Sequence, residues 1–303
     1  MEPDPGPQGA DRIGGGGRVR AWRRRGVSGL VLVTGATGKT GRSLSAQLEA
    51  NGVPHRAAAR SGEPAFDWTR PETWNGALEG VGSIYLVAPP TVDDPYSRMI
   101  SFLQAAVERG VGRFVFLSMA SLPAGAFAHG QVHQWLKDHT GDWAVLGPSA
   151  FMQNFTEGSH LATIRQEDTI YSNTGDGRVS FISADDIARA AFVLLTGPGG
   201  LNRDFTITGD EPMSYDQVAE QIGRARGRAV THTRISSEDL VARFIARGLP
   251  EATAKVLAFG YEGIAGGAFD WTTEVFGELT GRPATRFQAF AEANAEVWRP
   301  GVR

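Results

Sequence analysis

The chain has 303 residues, with 30 basic and 33 acidic side chains and a net charge of −3, so its overall charge favours neither nucleic acid nor an anionic membrane as a partner. It contains no cysteine, which excludes disulfides, thiolate catalysis and cysteine-ligated metal. No apolar run approaches the roughly 20 residues of a membrane-spanning helix, and we expect a cytoplasmic protein.

The first 27 residues differ in composition from the rest of the chain. Residues 1–17 are rich in proline and glycine without an apolar period, which predicts a disordered tail. Residues 18–25 carry five arginines, a pattern shared by nucleic-acid-binding arms and by the start of export signals. Acidic residues in the tail and the lack of an apolar core before Gly35 argue against export. We therefore interpret residues 1–27 as a solvated tail that folding and activity do not require.

A glycine-rich turn follows the first apolar segment. A β-branched run ends at Thr34, three glycines follow, and a helix-favouring segment comes next. Such a strand, turn and helix point backbone N–H groups and a helix N-terminus at a pyrophosphate. Gly35 permits the turn, Gly38 lets the backbone approach the phosphates, and Gly41 lets the helix pack against the sheet. The pattern predicts a nucleotide-binding site, the alternative being a purely structural turn.

A second kind of phosphate loop is excluded. The sequence Gly38-Lys39-Thr40 resembles the end of a Walker A motif, which also requires a glycine five positions before Gly38. Val33 occupies that position, so the chain is not predicted to be a kinase or another NTPase.

From Leu30 onward, apolar runs alternate with amphipathic stretches. After the first strand, the pattern predicts strands over 54–59, 65–67, 83–88, 113–118 and 143–146, and helices over 39–51, 72–79, 94–110 and 130–140. This alternation predicts an α/β fold, a Rossmann-type doubly wound parallel sheet. The near-continuous apolar strands indicate a sheet that is covered on both faces.

The regularity weakens after residue 155. A helix is predicted to start within 181–187, with Asp185 and Asp186 favourably placed against its dipole, and a strand over 205–208 is predicted to return to the sheet. Further helices are predicted over 214–226, 236–247, 251–265, 270–280 and 284–297. We therefore predict a dinucleotide-binding domain over 28–155 and 178–208, and a smaller, mostly helical substrate lobe over 156–177 and 209–303.

The end of the second strand bears on cofactor identity. NAD-binding folds place an acidic residue there, whereas this chain has Arg60 followed by Ser61. A guanidinium suits a 2′-phosphate, and Lys39 and the hydroxyl of Ser61 add to that preference. We predict NADP(H), the alternative being that Arg60 is a solvated loop arginine. Asp67 and Trp68, which follow the third predicted strand, are expected to contact the adenine.

Several short blocks along the chain carry a family resemblance, which spans about residues 29–298. They are the three-glycine motif that begins at Thr34, Phe66-Asp67-Trp68 with Thr73-Trp74, and the segments 86–90, 113–118, 132–136, 151–155, 170–171, 181–188 and 280–283. With these blocks the chain resembles the NmrA-like atypical short-chain dehydrogenases. Within them it is most similar to the ergot-alkaloid-type reductases, the group of agroclavine dehydrogenase and festuclavine synthase.

The resemblance implies an NADPH-dependent reduction of a cyclic imine or iminium carbon, with alkaloid-like or other small natural products as substrates. It also implies that the Tyr-x-x-x-Lys pair of ordinary short-chain dehydrogenases is absent, and the corresponding helix here carries His133 and Lys137. The chain departs from the family pattern at Gly147, where an arginine usually precedes the proline, here Pro148. The resemblance therefore does not decide the structure of the pocket wall near Gly147 or whether the substrate is an alkaloid.

The predicted site lies at the carboxyl ends of the strands. We expect the cofactor to be bound by Thr34, Gly35, Thr37, Gly38, Lys39, Thr40, Gly41, Arg60, Ser61, Asp67, Trp68, Val87, Ala88 and Pro89. The predicted catalytic residues are His133, Lys137 and Ser118, and the predicted substrate-binding residues are Tyr85, Phe151, Asn154 and Tyr171. An imidazole is suited to donating a proton near neutral pH, although an iminium carbon needs no such donor. Each of these side chains also has a structural interpretation: His133 as a helix histidine that hydrogen-bonds a neighbouring loop, Ser118 as a cap of the strand end, and Lys137 as a solvated helix lysine.

Three functions stay open at this point. The first is an imine or iminium reductase, the second an NADP-binding redox sensor without turnover, and the third a quinone or azo reductase of the same superfamily. The six histidines show no compact ligand set with carboxylates, so no metal is predicted. We expect a small-molecule substrate and no nucleic-acid or membrane partner, and both a monomer and a homodimer remain possible.

Overall fold

The computed structural model describes residues 29–89 and 94–299; the predicted tail over 1–27 lies outside these ranges, as does Pro90 of the 86–90 block. The strands in chain order are β1 (Leu30–Val33), β2 (His55–Ala57), β3 (Val81–Val87), β4 (Arg113–Leu117), β5 (Trp143–Pro148), β6 (Thr169–Ser172), β7 (Arg178–Ser180), β8 (Arg203–Ile207), β9 (Pro212–Ser214) and β10 (Thr231–Arg234). Six of them form one parallel sheet in the order β2-β1-β3-β4-β5-β8. The predicted Rossmann-type doubly wound sheet is confirmed.

The helices also match the predicted ones to within a few residues in most cases. They are α1 (Lys39–Ala50), α2 (Trp74–Leu78), α3 (Pro95–Glu108), α4 (His129–His139), α5 (Leu161–Glu167), α6 (Ala184–Thr196), α7 (Tyr215–Arg226), α8 (Ser237–Ala246), α9 (Glu251–Ala265), α10 (Val275–Thr280) and α11 (Phe287–Ala293). Short 3₁₀ turns cover Pro71–Thr73, Met152–Asn154 and Ala295–Trp298. No helix in the described ranges is both long and apolar enough to cross a membrane.

Both faces of the large sheet are covered, as the continuous apolar strands predicted. Successive side chains of a strand point to opposite faces. In β3, Ile84 and Leu86 therefore pack with α2, α3 and α4, whereas Tyr85 packs on the other face with α1 and α6. All three side chains are fully buried. Each apolar side chain buried in this way contributes about 1.5–3 kcal/mol to stability relative to its exposed state.

One predicted strand is absent. Residues 65–67 are irregular, although Phe66 is buried in the core and its N–H donates to the carbonyl of Ala59 over 2.9 Å. The backbone of Asp67 is satisfied by side chains instead of a neighbouring strand. Its N–H donates to Oγ1 of Thr73, and its carbonyl accepts from the indole of Trp74, each over 3.0 Å. Because these bonds replace a strand partner, the prediction of a strand here is wrong.

The part of the chain after β5 contains more strand than the sequence indicated. Strand β8 joins the large sheet beside β5, while β6 pairs with β10 in parallel and β7 pairs with β9 antiparallel. Helices α7 and α11 pack on each other around a separate apolar core, whereas α10 packs against α6 and β8. The division into a dinucleotide-binding domain and a substrate lobe stays a prediction, with α10 lying on the large sheet.

Candidate functional site

The turn between β1 and α1 can be built only with glycine at two positions. Gly35 has a positive φ of +62°, and a Cβ there would lie 3.1 Å from Cβ of Val87. A Cβ on Gly41 would lie 2.2 Å from the carbonyl oxygen of Gly35, closer than any side-chain carbon can approach. The N–H of Gly38 closes the turn on that same carbonyl over 2.8 Å. The first turn of α1 is therefore held against the end of β1.

The N-terminus of α1 is suited to an anion. Its N-cap residue, Gly38, supplies no side-chain hydrogen bond, and no acidic residue stands in the first turn. Thr37 and Gly38 are exposed, so the positive end of the helix dipole lies at the surface. Lys39 adds a cation, and its Nζ donates to Oδ1 of Asn154 over 3.2 Å. Burial lowers the pKa of Lys39, which the nearby carboxylate of Glu157 partly offsets.

Three buried side chains support this turn from beneath. Oγ1 of Thr34 donates to the carbonyl of Tyr85 over 3.0 Å and accepts from the N–H of Val87 over 2.8 Å. The hydroxyl of Tyr85 donates to Oγ1 of Thr40 over 3.0 Å. Burial raises the pKa of Tyr85, whose side chain has no exposed surface. The prediction that Tyr85 contacts the substrate is therefore wrong; it ties β3 to the start of α1.

The residues expected at the adenosine end lie beyond β2. Arg60 and Ser61 are exposed. The carboxylate of Asp67 accepts hydrogen bonds from the N–H and the hydroxyl of Thr69, over 2.8 and 2.7 Å. These bonds, with a smaller contribution from the charge of Arg60, lower the pKa of Asp67. Contact of Arg60, Ser61 and Asp67 with the cofactor stays a prediction.

Trp68 has a packing role that the sequence did not show. Its ring meets Phe66 edge-on at a centroid separation of 5.0 Å and Phe102 at 5.2 Å. The side chain is half-buried against the core beneath β2 and β3. Contact between Trp68 and the adenine stays a prediction.

The carboxyl ends of β3, β4 and β5 lie at one edge of the sheet, where the crevice for the reacting end of the cofactor is predicted. Val87 and Ala88 are half-buried there, and Pro89 is buried. Ser118 directly follows β4; its N–H donates to the carbonyl of Leu146 over 2.9 Å, and its side chain is half-buried. The structure thus brings Ser118 and the residues after β3 to one edge of the sheet.

The departure from the family pattern at Gly147 has a steric explanation. A Cβ on Gly147 would lie 2.9 Å from the carbonyl oxygen of Met119 and 3.4 Å from Cα of Ala120. The N–H of Ala120 donates to the carbonyl of Pro148 over 3.1 Å. The segment after β4 therefore lies directly on β5, and an arginine at position 147 would displace it.

Two predicted catalytic residues do not reach the crevice. His133 is 2% exposed; its Nε2 lies 2.9 Å from Oδ1 of Asp204, and its ring packs against Trp143 at 5.3 Å. Trp143 begins β5, so His133 lies near the amino end of a strand about 16 Å long. Lys137 is exposed one helical turn further from the crevice. Because α4 runs from the carboxyl edge toward the amino edge, the predicted catalytic roles of His133 and Lys137 are wrong.

A histidine that was not predicted as a site residue lies at this edge of the sheet. His129, the first residue of α4, places Nδ1 3.3 Å from the hydroxyl of Tyr96 and stacks its ring on Phe116 at 5.6 Å and 18°. Burial lowers the pKa of His129 and raises that of Tyr96. The sequence carried a usable signal: a helix that follows a strand of a parallel sheet begins at the carboxyl edge, so its first residue lies nearest the ligand.

The residues predicted to bind substrate fall in different surroundings. Phe151 is half-buried against the core and pairs through its backbone with Ile182, and Asn154 holds Lys39. The hydroxyl of Tyr171 donates to Glu167 over 2.8 Å, and Arg243 lies 3.6 Å above its ring. The described contacts of Tyr171 thus lie among the helices after β5, and its contact with substrate stays a prediction.

A groove elsewhere on the protein lies away from the carboxyl edge of the large sheet. A groove of about 660 Å³ lies between α7 and β10, lined by residues including Asp216, Gly223 and Arg228. Within residues 29–89 and 94–299, no group of three or more histidine, aspartate or glutamate side chains is arranged to hold a metal ion.

Comparison with known proteins shows relatives in sequence and a neighbour in fold. No family model matches the chain. It is 36% identical over 286 residues to agroclavine dehydrogenase of Claviceps fusiformis, covering 88% of this chain and 98% of that protein. It is 33% identical to festuclavine synthase II of Penicillium roqueforti, covering 88% and 99%. In fold it is similar to a Citrobacter triphenylmethane reductase solved with NADP(H), with a TM-score of 0.70 at 22% identity, covering 88% of this chain and 99% of that one.

Proposed function

The chain belongs to the family of agroclavine dehydrogenase and festuclavine synthase, a family of oxidoreductases, and we propose that it uses NADPH to reduce the carbon of a cyclic imine or iminium. One observation carries the proposal. An uncapped glycine turn suited to a dinucleotide opens onto the same sheet edge as Ser118, in a chain that has no Tyr-x-x-x-Lys pair on α4.

The fit of the cofactor rests on the turn and on Arg60. The backbone N–H groups in the first turn of α1 and the amine of Lys39 would hold the pyrophosphate, and Gly41 lets the helix come close enough for this. Arg60, exposed beyond β2, would hold a 2′-phosphate, so NADPH is preferred over NADH.

An iminium acceptor would need no proton donor from the protein. The bound cofactor supplies a hydride, and an iminium carbon is already electrophilic, so hydride addition yields a neutral amine without proton transfer. The protein then contributes mainly by positioning the two reactants and by excluding water. Met119 and Phe127, exposed by 50% and 75% on the segment between β4 and α4, offer an apolar surface for a ring system.

The test is the absorbance decrease of NADPH with a panel of cyclic imines, cyclic iminium ions, aldehydes, quinones and azo dyes. Consumption restricted to imines and iminium ions is the expected result. Faster turnover of quinones or azo dyes would assign the chain to that type of reductase instead. Tight binding of NADPH without consumption in any assay would favour a redox sensor.

A further inference from the structure

Tyr96 and His129 meet at the edge of the sheet that the proposed reaction uses. Tyr96 lies in the first turn of α3, which follows β3, and His129 is the first residue of α4, which follows β4. In a parallel sheet, helices that follow neighbouring strands begin side by side at the carboxyl edge. Because the two helices begin side by side, the Tyr96 hydroxyl and Nδ1 of His129 come within 3.3 Å of each other.

The imidazole of His129 is held in a defined orientation. Its ring stacks on Phe116 near the end of β4, and Tyr96 fixes Nδ1. The preceding residue, Ala128, has φ +61° and ψ −118°, a conformation that L-residues rarely adopt and that recurs at functional sites. The ring is half-buried, and Nε2 has no hydrogen-bond partner among the described residues. Tyr96 thus anchors Nδ1, and no described residue bonds Nε2.

From this arrangement we propose that His129, oriented by Tyr96, donates the proton that a neutral cyclic imine needs when it is reduced. The proposal rests on the proposed function. The C=N π pair takes the proton from Nε2 to form N–H, while the hydride of the reduced nicotinamide forms the new C–H bond. The nicotinamide is oxidised, the imidazolium becomes imidazole, and water then returns the proton. In the imidazolium, Nδ1–H donates to the oxygen of Tyr96.

This role of His129 distinguishes the two substrate classes of the proposed function, neutral imines and iminium ions. A neutral imine requires the proton of His129, whereas an N-alkylated iminium carries its charge permanently and requires none. Among the described residues, Tyr96 is the titratable group that contacts the His129 ring, and burial lowers the pKa of His129. A substrate pair that differs only in the N-alkyl group therefore reports on His129 directly.

The experiment compares His129→Asn with the control His139→Asn, which changes an exposed histidine at the far end of the same helix. The substrates are 3,4-dihydroisoquinoline and its N-methyl iminium salt. For His129→Asn we expect kcat with the imine to fall about 100-fold or more, and kcat with the iminium to change by less than about threefold. An equal loss on both substrates, or no loss on either, would overturn the assignment.

A second readout does not depend on turnover. If the unaltered protein reduces neither substrate, the proposed substrate class fails. The placement of His129 can still be tested by NMR titration of its imidazole. The imidazole signal of His129 is the one that is absent from the spectrum of His129→Asn. The oxidised nicotinamide ring is cationic and the reduced ring is neutral. If His129 lies beside that ring, its pKa is lower in the NADP⁺ complex than in the NADPH complex. Equal pKa values in the two complexes would overturn the placement.

Discussion

The amine of Lys39 donates a 3.2 Å hydrogen bond to Oδ1 of Asn154, which links the first turn of α1 to the 3₁₀ turn that follows β5. In the same region Arg42 of α1 forms an ion pair with Glu157. The turn proposed to bind phosphates is thus joined to the segment that leads into the helices after β5. A phosphate bound at α1 would lie beside this link.

The first prediction follows from the charge of Lys39. Lys39→Met should weaken NADPH binding roughly 10- to 100-fold, because hydrogen bonds to charged groups contribute about 1.5–3 kcal/mol. Titration calorimetry measures the change. Lys255→Met is the matched control, since Lys255 is exposed on α9 and pairs with Glu251. Equal affinities of the two variants would remove Lys39 from the cofactor site.

The second prediction concerns the choice between the two nicotinamide cofactors. Arg60→Ala should reduce the affinity for NADPH about tenfold or more and leave that for NADH nearly unchanged, because only NADPH carries the 2′-phosphate. Competitive titrations with both cofactors measure this selectivity. Arg70→Ala serves as control, because Arg70 is exposed nearby and pairs with Glu72. A parallel loss for both cofactors in Arg60→Ala would contradict the role.

The third prediction separates packing from catalysis at His133. His133→Ala should lower the free energy of unfolding by about 1–3 kcal/mol, since it removes a buried side chain packed between Trp143 and Asp204. Turnover of the folded variant should change by less than about threefold, whereas loss of a general acid costs about 100-fold. Urea unfolding and kinetics at saturating NADPH give the two numbers. Lys137→Ala, at an exposed position, should alter neither.

The sheet could be predicted from the sequence because its strands are short, β-branched and bounded by turn residues. The hydrophobic pattern could not decide to which face of the sheet each side chain of a strand points. Tyr85 stands between Ile84 and Leu86, and all three are apolar enough to be buried on either face. The site prediction for Tyr85 failed at this step, since its hydroxyl points to Thr40 beneath the turn.

Position along a helix was the other source of error. His129 and His133 are four residues apart, a rise of about 6 Å, which separates the crevice from the interior of the sheet layer. The sheet topology places His129 nearer the carboxyl edge, whereas the helical periodicity does not distinguish His129 from His133.

Strand β10 (Thr231–Arg234) illustrates a different limit. It is polar and mostly exposed, so no hydrophobic period marks it, and its pairing with β6 arises only from the tertiary fold.

The fourth prediction is a pH dependence of stability that originates at His160. This side chain is buried, stacks on Phe155 at 5.1 Å and places Nε2 3.1 Å from the hydroxyl of Tyr261. Burial, with smaller contributions from the charges of Arg247, His232 and Lys39, lowers the pKa of His160 from 6.5 to about 3. Between these values the unfolded chain binds a proton that the folded chain does not, so stability falls as the pH falls below about 6.5.

The variant His160→Phe keeps a stacked ring and removes the titration. Between about pH 7.5 and about pH 5.5, the unaltered protein should lose about 1.4 kcal/mol more stability than this variant, as linkage requires for one such group. Urea unfolding at both pH values measures the difference. Tyr261→Phe, which removes the hydrogen bond and leaves His160 to titrate, should retain the pH dependence. If the free energy of unfolding depended on pH identically in His160→Phe and in the unaltered protein, His160 would be protonated equally in the folded and unfolded states.

The last prediction concerns the close approach of two backbones at Gly147. Gly147→Ala would place a Cβ 2.9 Å from the carbonyl oxygen of Met119, and a backbone atom cannot move aside as a flexible side chain can. We expect a loss of about 1–3 kcal/mol in unfolding free energy, as for other overpacked sites. Gly112→Ala is the control, because a Cβ there meets no atom within 4 Å. Equal urea midpoints for the two variants would contradict the steric account. Because the displaced segment carries Met119 and leads to Phe127, Gly147→Ala should also raise KM for the imine more than it lowers the affinity for NADPH.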